Sequence, residues 1–506
     1  MSRLVRIELH PLGETLHVEA GTPLQDLLFA YGVEFPCGGH GRCRGCRVKV
    51  LAGDLGLAGD EEDILTRQEI KAGWRLACRA VAEADVTLDI AQWETAILAD
   101  DSQFYFTPRQ GLGLAVDLGT TTLVVQLLDL STAQVLGVVT GLNPQVAHGS
   151  DVMSRVQSAL QPEGREKLMR LAREGIGRLI EAVLPHARAH GGPVRRVVIV
   201  GNTVMHHLFG DIDVEPLSRY PFETPGGGLL RFSASNLGWD IPGDPEVFVL
   251  PCLGGFVGSD VLAGIMATQL RESDPPAALI DLGTNGEIVL GRRGQLLCAS
   301  TAAGPAFEGG RISAGMRATT GAISEVSIDD GALRCHVIGG GAARGVCGSG
   351  LVDAVASALD LGWIAASGRL HNNSRALSLA PAVRLTQADI RELQLAKAAI
   401  AAGIRILLER LAVGHQEVTC VYLAGAFGNY INRASARRIG MFDFPAETVK
   451  PSGNTALLGA KLALFAEENQ LEFRDLRSRC EHMSLAAHSR FQEIYVDEMV
   501  FPSEPA

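Results

Sequence analysis

Ala278-Leu-Ile-Asp281-Leu-Gly283-Thr284-Asn285-Gly-Glu287-Ile-Val-Leu290 is an apolar run that breaks at Asp-Leu-Gly-Thr and resumes as a second apolar run. It reads as strand, tight turn, strand. The same phrase stands earlier, in Gly113-Leu-Ala-Val-Asp117-Leu-Gly119-Thr120-Thr121-Thr122-Leu-Val-Val125. Two such hairpins about 160 residues apart indicate an internal duplication. Each is a candidate phosphate grip: glycine lets backbone N–H groups approach an anion, threonine hydroxyls add donors, and aspartate can hold magnesium through water. The plainer reading of the same glycines is a tight turn with no ligand.

A third element strengthens the first reading. Val418-Thr-Cys-Val-Tyr-Leu-Ala-Gly425-Ala-Phe-Gly428-Asn is a buried strand running into glycines before a helix. Together the three elements resemble the actin, heat-shock chaperone and sugar-kinase superfamily. That resemblance implies a two-lobed α/β ATPase. It assigns Asp117, Gly119, Thr120 and Thr121 to a first phosphate site, Asp281, Gly283, Thr284 and Asn285 to a second, and Gly425 and Gly428 to an adenosine site, with ATP and Mg2+ as ligands. Arg195–Gly201, running into Asn202-Thr203 and His206-His207, is expected at the hinge between lobes, with both histidines packed in the core. Asp260 sits where superfamily members place a residue that positions the attacking water; an aspartate bonding its own helix N–H groups is the alternative. Ser300–Gly310 and Gly339–Asp353 are glycine-rich turns feeding helices. Ser452-Gly453-Asn454 opens a helix resembling the second hinge element, with Gly459 allowing close packing.

Toward the N-terminus, Cys37, Cys43 and Cys46 lie in one glycine-rich loop with C-x5-C-x2-C spacing, and Cys78 follows in Arg75-Leu-Ala-Cys78. Glycine lets such a loop curl so that its sulfurs face one point. Three thiolates in a loop plus a distant fourth is the 2Fe-2S arrangement, whereas structural zinc usually takes two separated C-x2-C knuckles. His40 is a possible ligand, but four cysteines suffice without it. Leu4–Leu9 and Glu14–Val18 read as a hairpin. Thr22 and Pro23 read as the cap and first residue of a helix with Leu24, Leu27 and Leu28 on one face. Arg47–Leu51 is a further strand and Val86–Ile90 a closing one. The segment resembles 2Fe-2S ferredoxins throughout, with a first spacing of five residues like the adrenodoxin-like branch. Arg42, Arg44, Arg47, Arg75 and Arg79 crowd the ligands, either as a solvated basic face or as a docking surface for an acidic partner.

With 506 residues the chain calls for two to four domains. The expected layout is an α+β ferredoxin-like (β-grasp) domain over 1–91, a linker over 92–111, a first actin-like lobe over 112–275 and a second over 276–506, whose C-terminal helix can return to the first. A net charge of −12 argues against a nucleic-acid surface. No apolar run is long enough to span a bilayer, so a cytoplasmic protein with no membrane partner is expected. Of ten cysteines, Cys252, Cys298, Cys335, Cys347, Cys420 and Cys480 are scattered and read as structural.

Ferredoxin, linker and actin-like ATPase in this order, with Asp-Leu-Gly-Thr-Asn-Gly-Glu, Ala-Ala-Gly-Pro-Ala-Phe-Glu and Ala-Gly-Ala-Phe-Gly-Asn, resemble the reductive activators of corrinoid proteins. The resemblance implies ATP-dependent reduction of an inactive Co(II) corrinoid in a methyltransferase system to Co(I). It also implies a low-potential electron donor and a homodimer. Larger members carry a further small domain after the linker, where this chain goes directly to its first hairpin. Competing readings are an ATP-dependent electron donor to another low-potential enzyme, a small-molecule kinase with a redox-sensing ferredoxin domain, and an ATP-gated scaffold whose cluster is structural.

Overall fold

The computed structural model describes residues 3–503 except 11–13, 30, 32, 34–45, 58–60, 91–105, 150, 221, 223, 284, 310, 317, 319–320, 339, 372–374, 429–430 and 472. Cys37, Cys43, His40, Arg42, Arg44, Thr284 and most of the expected linker therefore lie outside the described residues.

Strands β1 (Leu4–His10) and β2 (Glu14–Glu19) form an antiparallel hairpin with Leu4 opposite Glu19. Val5, Ile7 and Leu9 fall on one buried face, as a period of two requires. Next come β3 (Thr22–Pro23), α1 (Leu24–Phe29), β4 (Arg47–Gly53), α2 (Arg67–Lys71), β5 (Trp74–Leu76), β6 (Val81–Ala82) and β7 (Val86–Asp89). Two expectations are corrected here. Thr22 and Pro23 pair with β6 rather than opening a helix, and the Thr22 hydroxyl donates to the Glu19 carbonyl at 2.6 Å. And β7 is interior: in the order β2-β1-β7-β4-β5 it runs parallel to β1 and antiparallel to β4. A parallel pair needs a long crossover, and the whole intervening segment supplies it. Leu24 and Leu28 of α1 are buried as their spacing predicts.

The next sheet is built from β8 (Leu112–Leu118), β9 (Thr122–Asp129), β10 (Val135–Leu142), β11 (Val194–Gly201), β12 (Leu230–Ser233) and β13 (Glu246–Val249). Its helices are α3 (Val152–Ala159), α4 (Gly164–His190), α5 (Thr203–Gly210) and α6 (Ser259–Ala267). The order is β10-β9-β8-β11-β13-β12. The strand expected at a hinge, β11, instead lies inside this sheet, parallel to β8 and β13. Its continuous apolar run, Val197–Val200, is fully buried, as a strand covered on both faces must be. His206 and His207 are buried in α5, the first held to the Gly228 carbonyl at 2.9 Å and the second to the Thr203 carbonyl at 2.8 Å.

The chain continues through β14 (Ala277–Leu282), β15 (Gly286–Arg292), β16 (Gln295–Thr301), β17 (Ala322–Asp329), β18 (Ala332–Val337), β19 (Gly345–Val346) and α7 (Gly348–Asp360). It goes on with β20 (Ala376–Ala380), β21 (Val383–Thr386), α8 (Gln387–Leu411), β22 (Cys420–Ala424), α9 (Gly425–Gly428), α10 (Arg433–Arg438) and β23 (Val449–Pro451). Last are α11 (Thr455–Phe465), α12 (Arg474–Arg479), β24 (Cys480–His482) and α13 (Phe491–Asp497). The sheet here runs β23-β22-β14-β15-β16-β24.

The duplication is visible as topology. In β10-β9-β8-β11-β13 the first two pairings are antiparallel and the next two parallel, and β16-β15-β14-β22-β23 repeats that sequence. The chain divides into two compact units: β1–β13 and α1–α6 together with α11 and α12, and β14–β23 and α7–α10 together with β24 and α13.

Within the first unit, α11 packs on α6, β8 and β11. A Cβ added at Gly459 would lie 2.2 Å from the Ala263 carbonyl oxygen and 2.4 Å from its Cα, so the two helices touch backbone to backbone. Gly459→Ala must push them apart. Overpacking of this kind costs about 1–3 kcal/mol, and thermal unfolding of the variant should show a lowered midpoint; an unchanged midpoint would mean that the helices part freely.

Candidate functional site

The first hairpin turns between β8 and β9, with Leu118 opposite Leu123. Gly119 has no room for a side chain, since a Cβ there would meet the Thr122 carbonyl oxygen at 2.5 Å. The carbonyls of the turn are held from behind. Asn143 donates Nδ2–H to the Gly119 carbonyl at 2.8 Å and its backbone N–H to the Thr121 carbonyl at 2.8 Å, and Arg155 donates to the Thr120 carbonyl. Because a trans peptide is planar, with N–H and C=O opposed, anchoring the Gly119 and Thr120 carbonyls turns the Thr120 and Thr121 N–H groups the other way. Among the described residues neither N–H has a backbone acceptor outside the sheet ladder. Successive N–H groups directed alike form an anion-binding concavity.

Three asparagines fix this turn by one device. Each uses Oδ1 to accept an N–H at a helix start and so directs Nδ2 at the hairpin. Asn143 accepts from Gln145 N–H at 3.0 Å and reaches Gly119; Asn202 accepts from Met205 N–H at 3.0 Å and donates to the Thr120 hydroxyl at 2.8 Å. Asn454 accepts from Leu457 N–H at 2.8 Å and donates to Asp117 Oδ2 at 2.8 Å. An asparagine just ahead of a helix is a cap signal that could have pointed to all three; their second bonds leave no local signal, because they reach across the fold. Burial pushes the Asp117 carboxyl up to about 6, against the lowering by the Asn454 bond.

In the second hairpin Asp281 is the penultimate residue of β14, opposite Glu287 of β15 and level with Ala424 of the parallel β22. Gly283 donates its N–H to the Asn285 carbonyl at 3.0 Å. Gly425 has φ +83°, and a Cβ there would sit 2.4 Å from Asp281 Oδ1 and 2.6 Å from the Leu282 carbonyl oxygen. The structure thus brings Asp281 and Gly425 into contact, with glycine required by both the backbone angle and the space. At Gly428 a Cβ would come within 3.2 Å of Leu423. Phe427 stacks on Phe307 with centroids 4.5 Å apart, joining the Gly425–Gly428 turn to the Ala-Ala-Gly-Pro-Ala-Phe turn. Asp260 stands in the first turn of α6, where Oδ1 accepts the Val261 N–H at 2.8 Å.

Of the four expected cluster ligands, Cys46 and Cys78 are described. Their sulfurs are 3.3 Å apart, and the Ala77 N–H donates to the Cys46 carbonyl at 2.9 Å. Two thiolates on one tetrahedral metal at ~2.3 Å lie about 3.8 Å apart, so this pair fits one iron of a cluster with a small opening. Of the arginine rim, Arg47 pairs with Glu69 at 2.8 Å and lies over Trp74, and Arg75 donates to the carbonyls of Leu55, Ile70 and Trp74. Both are engaged in holding the segment before Cys78. Cys252, Cys298 and Cys347 are buried, and burial pushes the Cys252 thiol up to about 12, away from reactive thiolate chemistry.

Residues 7–83 match the model of the 2Fe-2S iron-sulfur cluster binding domain, 112–273 that of the RACo middle region, and 276–506 that of the C-terminal domain of RACo, the ASKHA domain. Over 421 residues the chain is 34% identical to the corrinoid activation enzyme RamQ of Eubacterium limosum, covering 77% of this chain and 70% of that protein. The chain belongs to the reductive activators of corrinoid proteins. This activator is also 27% identical to the Co(II) methylated amine-specific corrinoid protein reductase of Methanosarcina barkeri, over 77% of each. A solved reductive activator for corrinoid, iron-sulfur protein superposes with a TM-score of 0.68 at 26% identity, covering 98% of both chains. A 2Fe-2S domain and an actin-like ATPase domain are therefore joined in one polypeptide. No helix among the described residues is long and apolar enough to cross a membrane.

Two measurements probe the first hairpin in metal-free buffer. Asp117 is protonated in both folded and unfolded chains below its ordinary value, and its raised carboxyl costs folded stability as pH climbs through about 6. Asp117→Asn should therefore be more stable than the natural chain above pH 7, by roughly 1–2 kcal/mol after allowance for solvent, with the advantage vanishing below about pH 4. Asn454→Asp keeps the helix cap but sets a second carboxylate against Asp117. Its thermal midpoint should fall further below that of the natural chain as pH rises from about 5 to 8, and a pH-independent gap would show that the Asn454 amide does not face Asp117.

Proposed function

We propose that this activator uses ATP to drive reduction of a corrinoid protein from Co(II) to Co(I), with the electron leaving through a 2Fe-2S cluster. The observation that carries the reading is the relationship to the corrinoid activation enzyme, at 34% identity across 77% of the chain. Cys46 and Cys78, with Cys37 and Cys43 from the glycine-rich loop, would hold the cluster. When bound, the cluster supplies one electron at a time. The Thr120 and Thr121 N–H groups and the Thr120 hydroxyl would receive phosphate at the first hairpin, and Gly283, Thr284 and Asn285 at the second. Asp117 and Asp281 would hold Mg2+ through water. Gly425 and Gly428 would border the adenosine, and Asp260 would orient the attacking water. A corrinoid protein of a methyltransferase system is the acceptor, a low-potential donor refills the cluster, and the active species is a homodimer.

The need for ATP follows from potentials. A plant-type cluster lies at about −400 mV, and each ~59 mV uphill costs tenfold in a one-electron equilibrium. ATP lowers that barrier only if its binding or hydrolysis favours one state of the complex over another. Asp281 is the residue to test, since it is confined by Gly425 and lies far in sequence from the cysteines. Asp281→Ala should retain the visible absorption of the cluster and its reduction by dithionite, yet lose ATP-dependent formation of Co(I) by on the order of a hundredfold, the scale of removing one charged group from a phosphoryl-transfer site. Co(I) formation at the natural rate in that variant would sink the assignment. Detection of a phosphorylated small molecule in place of free phosphate would favour a kinase.

A further inference from the structure

Helix α3 carries Arg155, whose side chain has no exposure to solvent. Its guanidinium gives every described bond to a neutral group. Nε donates to the Gly149 carbonyl at 3.0 Å, and Nη1 to Gln145 Oε1 at 3.1 Å and the Met205 sulfur at 3.2 Å, while Nη2 donates to the Thr120 carbonyl. The acid nearest in sequence, Asp151, turns its oxygens to the N–H and hydroxyl of Ser154 and caps the helix. Among the described residues no carboxylate forms an ion pair with Arg155. Burial lowers its pKa to about 10, against the raising by the Asp151 charge, which leaves it charged at neutral pH.

Asp151 favours the charged form from a distance, but a buried guanidinium bonded only to neutral groups still carries a desolvation cost, which an anion at the turn would offset. Thr120 shows where that anion would settle. The peptide whose carbonyl takes the Arg155 hydrogen bond is the peptide whose N–H, on Thr121, points away from Arg155. A hydrogen bond to a carbonyl polarises the whole amide and strengthens its N–H as a donor. A fixed cation just beneath the turn also acts through a low-dielectric interior, where its field is weakly screened.

We propose that Arg155 is the buried counter-charge of the nucleotide phosphates, acting through the Thr120–Thr121 peptide as a positioning residue at the first hairpin. The inference rests on the reading of Gly119–Thr121 as a phosphate site. It makes the charge, and not merely the shape, of this residue part of nucleotide recognition. The ligand it selects is a polyphosphate, while an uncharged nucleoside gains nothing from it.

The test is calorimetric titration of the full chain, cluster included, with ATP, ADP and adenosine in the presence of Mg2+, for the natural protein, Arg155→Met and Arg155→Lys. Arg155→Met should weaken ATP and ADP by on the order of 10- to 100-fold and leave adenosine unchanged. Arg155→Lys, which keeps the charge but loses the planar set of donors, should recover most of that loss. Equal losses for Met and Lys, or a parallel loss of ATP and adenosine, would make Arg155 a structural brace and overturn the proposal. Should Arg155→Met fail to fold, the ratio of ATP to adenosine affinity in Arg155→Lys decides: a ratio near the natural one supports the charge, a collapsed ratio overturns it. A natural protein that binds adenosine no more weakly than ATP would overturn the phosphate-site reading itself, a result separate from any variant.

Discussion

The first ATPase turn depends on asparagines that each do two things at once. Asn143, Asn202 and Asn454 each accept a helix N–H on Oδ1 and give Nδ2 to the Asp117–Thr121 turn, at 2.8 Å in every case. An aspartate or serine would cap the helix equally well, but neither could donate onward with the same geometry. The helix starts and the turn are thereby fixed to one another. A shift of α11, whose cap is Asn454, must move Asp117 or break its bond, and Gly459 holds the same helix against the backbone of α6. That chain of contacts is contiguous within the first unit, and it is where the state of the hairpin can be passed into helix packing.

Two charges of opposite sign flank this turn, Arg155 fully buried and Asp117 half-buried. Asp117 is penalised by burial and held by an amide, and Arg155 is penalised by burial and held by carbonyls. Neither is neutralised by the other through a direct bond. Such an arrangement is poor for the stability of the chain alone, and the proposed Mg2+-ATP would bring a charge opposite to each. The second hairpin uses a different constraint. There Gly425 presses its backbone against Asp281, so the carboxylate is placed by close packing.

Much of the fold was legible because its signals are local. The Asp-Leu-Gly-Thr phrases and the alternation of Leu4–Leu9 each fix structure within a few residues, and the repeated sheet topology bears out the duplication read from Asp117 and Asp281. What was misplaced depends on long-range pairing. Val86–Asp89 reads as a strand but nothing in it says that β1 and β4 flank it. Thr22-Pro23 has the chemistry of a helix start, and pairing with Val81–Ala82 overrides it. The supporting residues of the site were hidden for the same reason: Arg155 lies 35 residues from Thr120 and Asn454 lies 337 from Asp117. Arg47 and Arg75 were readable as a solvated basic face or a docking surface, and the bonds they make to Glu69 and the Leu55 carbonyl, with Trp74 under Arg47, are long-range contacts that the local sequence does not show.

The central claim is that one chain couples ATP to delivery of an electron onto cobalt. The most direct measurement mixes the purified protein, a chemical reductant able to reduce the cluster and a corrinoid protein held as Co(II), and follows the cobalt absorption with and without Mg2+-ATP. The account predicts that Co(I) accumulates with ATP and stays near its starting level without it, while the cluster is reduced in both. Equal accumulation of Co(I) in the two mixtures would contradict it.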